Sequence, residues 1–103
     1  MKSGYKVFWT KNAIKELERT FEYIALSFSE KELINLSLEI EKVINIIAIN
    51  PQIFPVSDIK YIRRAVILRL NTLYYRIIDD RVEILSFFSN RKNPENRKLE
   101  DNK

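Results

Sequence analysis

Residues 62–91 read IRRAVILRLNTLYYRIIDDRVEILSFFSNR, and this stretch decides the fold. It predicts three β-strands, because β-branched and aromatic residues dominate each run while the polar pairs Asn71-Thr72 and Asp79-Asp80 interrupt them. The Asp79-Asp80 pair suits a tight hairpin, since aspartate tolerates positive φ. Arginines recur along the runs and follow the last one. We therefore expect a basic meander of three strands.

A first strand and a first helix are predicted near the start of the chain. Residues 5–9 alternate aromatic and branched side chains with lysine, as a short strand does. Thr10 then stands where a helix N-cap is expected. Apolar residues recur at spacings of three and four from Ile14 to Phe28, which predicts one buried stripe on a helix.

A second helix is predicted to follow almost at once. Ser29 and Glu32 have the spacing of a capping box, and the apolar stripe that follows ends at Asn50-Pro51. So short a connection predicts an antiparallel helix hairpin. The element order predicts one α+β domain over residues 1–103, with an N-terminal strand, an antiparallel two-helix hairpin and then a three-stranded antiparallel meander. We expect the helices to pack on one face of an antiparallel sheet and the polar tail, about residues 93–103, to be frayed.

Composition excludes several classes of function. The 103 residues include no cysteine and no histidine, which removes disulfides, thiolate metal sites and the commonest general base. The single glycine, Gly4, cannot build a glycine-rich phosphate loop. No long uncharged apolar run or signal-peptide opening is present, so we expect a cytoplasmic protein with no cofactor and no metal. The helix glutamates, Glu16 among them, are interpreted as a solvated surface.

Positive charge is concentrated in the second half of the chain. Residues 1–59 hold seven Lys/Arg against eight Asp/Glu, whereas residues 60–103 hold eleven against six. This excess indicates either an anionic partner, nucleic acid or an acidic protein segment, or an ordinary solvated surface. Arginine binds phosphates bidentately and also binds carboxylates, and some of these side chains are expected to be structural. The cations in question are Arg63, Arg64, Arg69, Arg76, Arg81 and Arg91, with Lys60 and Lys92.

The last predicted strand is apolar on both faces. Simple alternation places Val82, Ile84 and Phe88 on one face and Leu85 and Phe87 on the other. One face is expected to meet the helices. The other is expected either to be shielded by the rest of the chain or to receive a partner.

The ordered set of elements and residues resembles the RelE/ParE superfamily of bacterial type II toxins, often labelled plasmid stabilisation proteins. The resemblance covers nearly the whole chain. It is carried by residues 5–10, Asn50-Pro51, Phe54-Pro55, Arg63-Arg64, Tyr74-Tyr75-Arg76-Ile77 and residues 84–94. It implies a small growth-inhibiting toxin that is co-expressed with an antitoxin, and an acidic, partly disordered antitoxin would suit the basic half of the chain.

The superfamily divides on mechanism. The resemblance implies either a ribosome-dependent mRNA endoribonuclease or a ParE-like toxin that binds and inhibits DNA gyrase without cutting RNA. Arg91 matches the arginine that ends the last strand of the nucleases. Thr72 or Leu73 stands where they carry another arginine, and no tyrosine or histidine follows Tyr75. These departures favour the ParE-like, non-enzymatic alternative.

Site residues follow from each alternative. For a binding toxin we predict target contacts from Arg63, Arg64, Arg91 and Lys92. For a nuclease, the phosphate would be held by Arg64, Arg69 and Arg91, with no confident catalytic residue beyond them. The predicted antitoxin contacts are Tyr75, Leu85 and Phe87. A third alternative keeps the toxin fold as a non-toxic protein-binding module.

Overall fold

The computed structural model describes residues 4–90 and confirms the α+β class. Its elements follow the predicted order of strand, two helices and three strands. They are β1 (Lys6–Trp9), α1 (Lys11–Ser27), α2 (Glu30–Ile49), β2 (Arg63–Ile67), β3 (Asn71–Ile78) and β4 (Arg81–Ser89). The predicted tail of about residues 93–103 lies outside the described residues.

The four strands form one sheet in the order β1-β4-β3-β2. Strands β2, β3 and β4 pair antiparallel, as the predicted meander requires. Strand β1, however, lies beside β4 and runs parallel to it, so the prediction of a fully antiparallel sheet was wrong on this point. The alternation of side chains along a strand has a period of two whichever way its neighbour runs, and it therefore does not encode this direction.

Both helices begin at the predicted N-caps. The Thr10 hydroxyl accepts the Ala13 N–H at 3.2 Å, and the Ser29 hydroxyl accepts the Glu32 N–H at 3.2 Å. Helix α2 ends where Asn50 donates its N–H to the Ile46 carbonyl, one residue before Pro51. No helix within residues 4–90 is long and apolar enough to cross a membrane.

The hydrophobic core lies between the helices and one face of the sheet. The middle of the predicted α1 stripe is confirmed, since Ile24 is buried and Leu17 and Phe21 pack against the core. Ile14 and Phe28 are about two-fifths exposed, whereas Ala13 and Thr20 are buried. Ala13 and Thr20 have small side chains, which let α1 lie close to β4. The other core side chains are Leu36, Ile40, Val43 and Ile47 of α2, with Ala65, Ile67, Leu73, Tyr75, Val82, Ile84 and Phe87 of the sheet.

A β-bulge in β4 changes which side chains face the core. Tyr74 pairs with Ser86 and Tyr75 pairs with Ile84, which leaves Leu85 as the extra residue of β4. Beyond the bulge, Phe87 therefore joins Ile84 on the buried face and is only 1% exposed. The prediction from simple alternation, which grouped Phe88 with Ile84 and Phe87 with Leu85, was wrong because it assumed an unbroken period of two.

Candidate functional site

The β4 bulge is held in place by the first turns of α1. Strand β1 ends at Trp9, opposite Ile84, so the edge of β4 beyond Ile84 has no neighbouring strand. Side chains of α1 and its cap take over the hydrogen bonds there. The Thr10 hydroxyl donates to the Ile84 carbonyl at 2.8 Å, and the Asn12 amide donates to the Leu85 carbonyl at 3.1 Å.

Glu16 completes this arrangement. One oxygen of its carboxylate, Oε1, accepts the backbone N–H of Phe87 at 2.9 Å and the hydroxyl of Ser86 at 2.8 Å. The side chain is half-buried and binds backbone beyond the bulge, so the interpretation of Glu16 as one of a set of solvated glutamates was wrong. The other glutamates of α1 also lie off the apolar stripe, so the sequence does not distinguish Glu16 from them. Only the position of the β4 bulge does.

An open cleft of about 470 Å³ lies on the sheet face opposite the helices, beside the bulge. Arg64, Tyr74 and Ser86 form its floor, because they are cross-strand partners on three consecutive strands. Residues 57–62, the segment that precedes β2, form one wall, and Leu85 stands on the bulge opposite them. The lining residues are Ser57, Asp58, Ile59, Ile62, Arg64, Tyr74, Leu85 and Ser86.

The wall formed by residues 57–62 is a self-bonded loop. Ser57 donates its N–H to the Ile62 carbonyl at 2.6 Å, and its hydroxyl accepts the Ile59 N–H at 3.1 Å. Tyr61 has a φ of +67°, a strained value for a tyrosine. Its side chain is 77% exposed and that of Ile59 is 61% exposed. Ile59 therefore presents an apolar side chain to solvent at the cleft, whereas Tyr61 lines a separate depression with Arg63 and Ile77.

Arg64 is the one cation among the described residues that line the cleft. Of the other arginines on this face, Arg76 approaches Glu83 at 3.0 Å and Arg81 approaches the same carboxylate at 3.5 Å. Arg64 is exposed, and its guanidinium forms no hydrogen bond or ion pair with any residue that the structure describes. An arginine without a partner on the floor of a cleft is available to a carboxylate or a phosphate.

The Arg63 side chain stabilises the fold by hydrogen bonding to a loop. Its Nη1 donates to the Phe54 carbonyl at 2.7 Å and to the Gln52 carbonyl at 3.3 Å. Its cross-strand partner Tyr75 donates its hydroxyl to the Pro51 carbonyl at 2.6 Å. Together the two side chains fasten residues 51–54 to the sheet. Burial raises the pKa of the Tyr75 phenol, while the charge of Arg63 and a backbone hydrogen bond act in the opposite direction.

The structure places the predicted site residues in different surroundings. Arg64 and Leu85 both line the cleft. Tyr75 and Phe87 are buried in the core, so the folded chain presents neither side chain to a partner. Arg69 lies in the turn after β2, with a φ of +68°. Arg91 and Lys92 lie outside the described residues.

Sequence reasoning missed the polar half of the cleft. Ser57, Asp58, Tyr74 and Ser86 join Arg64 only because a loop, a strand and a bulge meet there. Tyr74 could have been found by pairing it with Arg64 in the predicted hairpin. Within residues 4–90, no group of three potential His, Cys, Asp or Glu metal ligands comes together.

The geometry and the sequence together define a known class of protein. A family model described as the ParE toxin of the type II toxin-antitoxin system parDE matches residues 7–94. The chain therefore belongs to the ParE toxin family. No match was found among the curated proteins compared with it.

Two solved structures share the fold. One is described as a chromosomal ParDE toxin-antitoxin system from P. aeruginosa. It is 12% identical, has a TM-score of 0.70, and the match covers 82% of this chain and 95% of that one. The other is the conserved hypothetical protein HP0894 from Helicobacter pylori, 20% identical with a TM-score of 0.56, covering 84% of this chain and 96% of that one.

Proposed function

We propose that this ParE toxin arrests growth by binding a target protein in the cytoplasm, DNA gyrase being the first candidate, and that a cognate antitoxin neutralises it. The observation that carries the choice of binding over RNA cleavage is the separation of Arg64 from Arg69, the two predicted phosphate-binding arginines within the described residues. Arg64 lines the cleft, whereas Arg69 is not among the residues around it. About 10 Å of strand separates Arg64 from Ile67, and Arg69 lies beyond that point.

Cleavage of RNA needs groups that converge on one phosphate. The reaction requires a base for the 2′-hydroxyl, a donor for the leaving oxygen and cations for the charge that develops on the phosphate. In the described part of the cleft, the cationic requirement falls on Arg64 alone, and the carboxylate of Asp58 would repel a phosphate. A single guanidinium among apolar side chains suits the recognition of a protein surface better.

The antitoxin part of the proposal rests on exposed apolar surface next to the cleft. Val66 and Phe88 are the cross-strand partners of Thr72, two residues along the strands from the row that contains Arg64. They are 57% and 42% exposed. With Ile59 they give this face three large apolar side chains in contact with solvent. Such a surface is typical of proteins that are normally covered by a partner.

A supercoiling assay with purified gyrase tests the target. The chain should inhibit supercoiling, and Arg64→Gln should weaken inhibition more than Arg69→Gln, because the two arginines differ in their place relative to the cleft and not in charge. Cleavage of mRNA in translating ribosomes with gyrase unaffected would instead establish the nuclease. Expression without growth arrest would leave the non-toxic binding module as the function.

Co-expression tests the antitoxin. The chain should arrest growth when expressed alone and should not do so when expressed with the neighbouring reading frame of its operon. Native mass spectrometry should then show a stable hetero-complex. A monomer that ignores the neighbouring gene product would contradict neutralisation without bearing on gyrase.

A further inference from the structure

The cleft has two chemically different halves that face one ligand. Arg64 and Tyr74 offer a guanidinium and a phenol hydroxyl on the floor, and Ser86 offers only an acceptor because its hydroxyl donates to Glu16. Ile59, Ile62 and Leu85 offer apolar surface on the walls. Ile62 and Arg64 are two residues apart in the strand direction, so their side chains are about 7 Å apart along the sheet. A ligand that uses both halves must carry an apolar group and an anionic group at a similar spacing.

We propose that the cleft is a socket for a peptide segment of the antitoxin that carries a large apolar side chain and, two residues away, a carboxylate. The carboxylate would bind Arg64, and the apolar side chain would fill the space between Ile62 and Leu85. This inference rests on the proposed neutralisation and adds the chemistry by which the partner is recognised. Occupation of the socket would withdraw Arg64 from the target.

Charge and shape favour such a segment over RNA. Arg64 is the cation of the lining, and Asp58 stands on the rim with its negative charge. A polyanionic backbone would bring further phosphates close to Asp58, whereas a peptide brings one carboxylate among neutral groups. Asp58 can in addition accept a hydrogen bond from a backbone N–H of the peptide.

The contacts are expected to come from side chains and not from an added β-strand. Strand β2 lies at the edge of the sheet, but residues 55–57 already occupy that edge where the cleft lies. Arg64 donates its N–H to the Pro55 carbonyl at 3.0 Å, and Val56 forms a bridge with Arg63. The backbone groups that strand addition needs are therefore in use beside Arg64.

The socket is also preorganised. Leu85 stands on the cleft wall because the bulge makes it the extra residue of β4, and Glu16 holds the backbone beyond the bulge through the Phe87 N–H. A wall that is already rigid reduces the conformational entropy that the protein loses when a ligand binds. The proposal therefore predicts that binding depends on Glu16 although Glu16 is not among the cleft residues.

Nuclear magnetic resonance titration of the full-length, ¹⁵N-labelled chain tests the proposal. The probes are acetylated, amidated pentapeptides with alanine at the other positions: one with leucine and glutamate two residues apart, one with leucine and glutamine, and one with alanine and glutamate. The leucine-glutamate peptide should shift the amides of Arg64, Tyr74 and Leu85 in a saturable way. Each altered peptide should bind about fivefold to tenfold more weakly, the effect of one partly exposed charge-assisted hydrogen bond or one apolar contact.

Variants make the result specific. Arg64→Gln should abolish the preference for glutamate over glutamine. Arg69→Gln, at an exposed arginine that is not among the described cleft residues, should leave the preference intact. Equal binding of both peptides to the native chain, or stronger binding of an oligouridylate to the same residues, would overturn the proposal. Because gyrase inhibition and growth arrest are measured separately, a negative titration alongside a positive supercoiling assay would reject the socket alone.

Discussion

Removal of the Glu16 carboxylate is expected to loosen the β4 bulge and lower stability. In Glu16→Ala, the Phe87 N–H and the Ser86 hydroxyl both lose their acceptor, at 2.9 and 2.8 Å respectively. A buried backbone N–H left without an acceptor costs about 1–3 kcal/mol, and the half-buried hydroxyl, which can turn towards solvent, adds about 0.5–1 kcal/mol. We therefore expect the free energy of unfolding to fall by about 2–4 kcal/mol.

Urea denaturation followed by circular dichroism measures this loss. Glu16→Gln keeps an oxygen acceptor at the same place and should lose only about 1 kcal/mol, because a neutral acceptor forms weaker hydrogen bonds than a carboxylate. Glu18 lies on the same helix with an exposed side chain, so Glu18→Ala is the matched control and should change stability by less than about 0.5 kcal/mol.

Amide hydrogen exchange supplies the site-specific test. The Phe87 N–H should exchange much faster in Glu16→Ala than in the native chain, and exchange at Leu73, in the core of the neighbouring strand, should change less. The reasoning is refuted if Glu16→Ala is as stable as Glu18→Ala, or if Phe87 exchange is unchanged.

Three further predictions concern the elements around the cleft. Thr10→Ala should cost about 2 kcal/mol and Ser29→Ala about 1 kcal/mol in urea denaturation, because both remove an N-cap but Thr10 also donates to the Ile84 carbonyl at 2.8 Å. Stability should fall as pH rises above about 10, where the unfolded chain ionises Tyr75 while burial keeps the folded phenol protonated, and Tyr75→Phe should flatten this slope. Arg69→Gly should raise stability by up to about 1 kcal/mol, because φ is +68° there.

Each of these predictions has a defined contrary result. Equal losses for the two cap variants would mean that the Thr10 bond to β4 contributes nothing. For Tyr75, the free energy of unfolding of the native chain is compared with that of Tyr75→Phe at each pH from 9 to 11, which removes the effect of lysine titration that both share. A difference that does not change with pH would contradict the raised pKa of Tyr75. Arg76→Gly, in the middle of β3, should destabilise, and a similar loss in Arg69→Gly would contradict the strain argument.

Local chemistry explains why most of the fold could be predicted from the sequence. Thr10 and Ser29 are N-caps because a hydroxyl on Cβ reaches the N–H of the residue three positions further along the chain. Asp79 lies in the β3–β4 turn with a φ of +54°, which aspartate tolerates. The direction of β1 and the bulge at Leu85 could not be predicted, because both depend on what lies beside β4. The faces of Phe87 and Phe88 were exchanged for that reason alone.

The candidate site, like the fold, could be predicted from the sequence only in part. Arg64 was predicted only as one member of a basic cluster, because a one-residue change of register would exchange the two faces of β2, and the structure places it in the cleft. Glu16 was not predicted, because it binds a backbone N–H seventy-one residues away that is available only beside the bulge. Arg63 looked equivalent to Arg64 in the sequence, and only the return of residues 51–54 beneath it shows that its guanidinium fastens a loop.

The claim that this ParE toxin binds and does not cut is tested most directly by exposing gyrase and translating ribosomes to the same purified chain. Supercoiling by gyrase should be inhibited, inhibition should weaken in Arg64→Gln, and mRNA in the ribosomes should remain intact. Cleavage of that mRNA, with supercoiling unaffected, would contradict the claim.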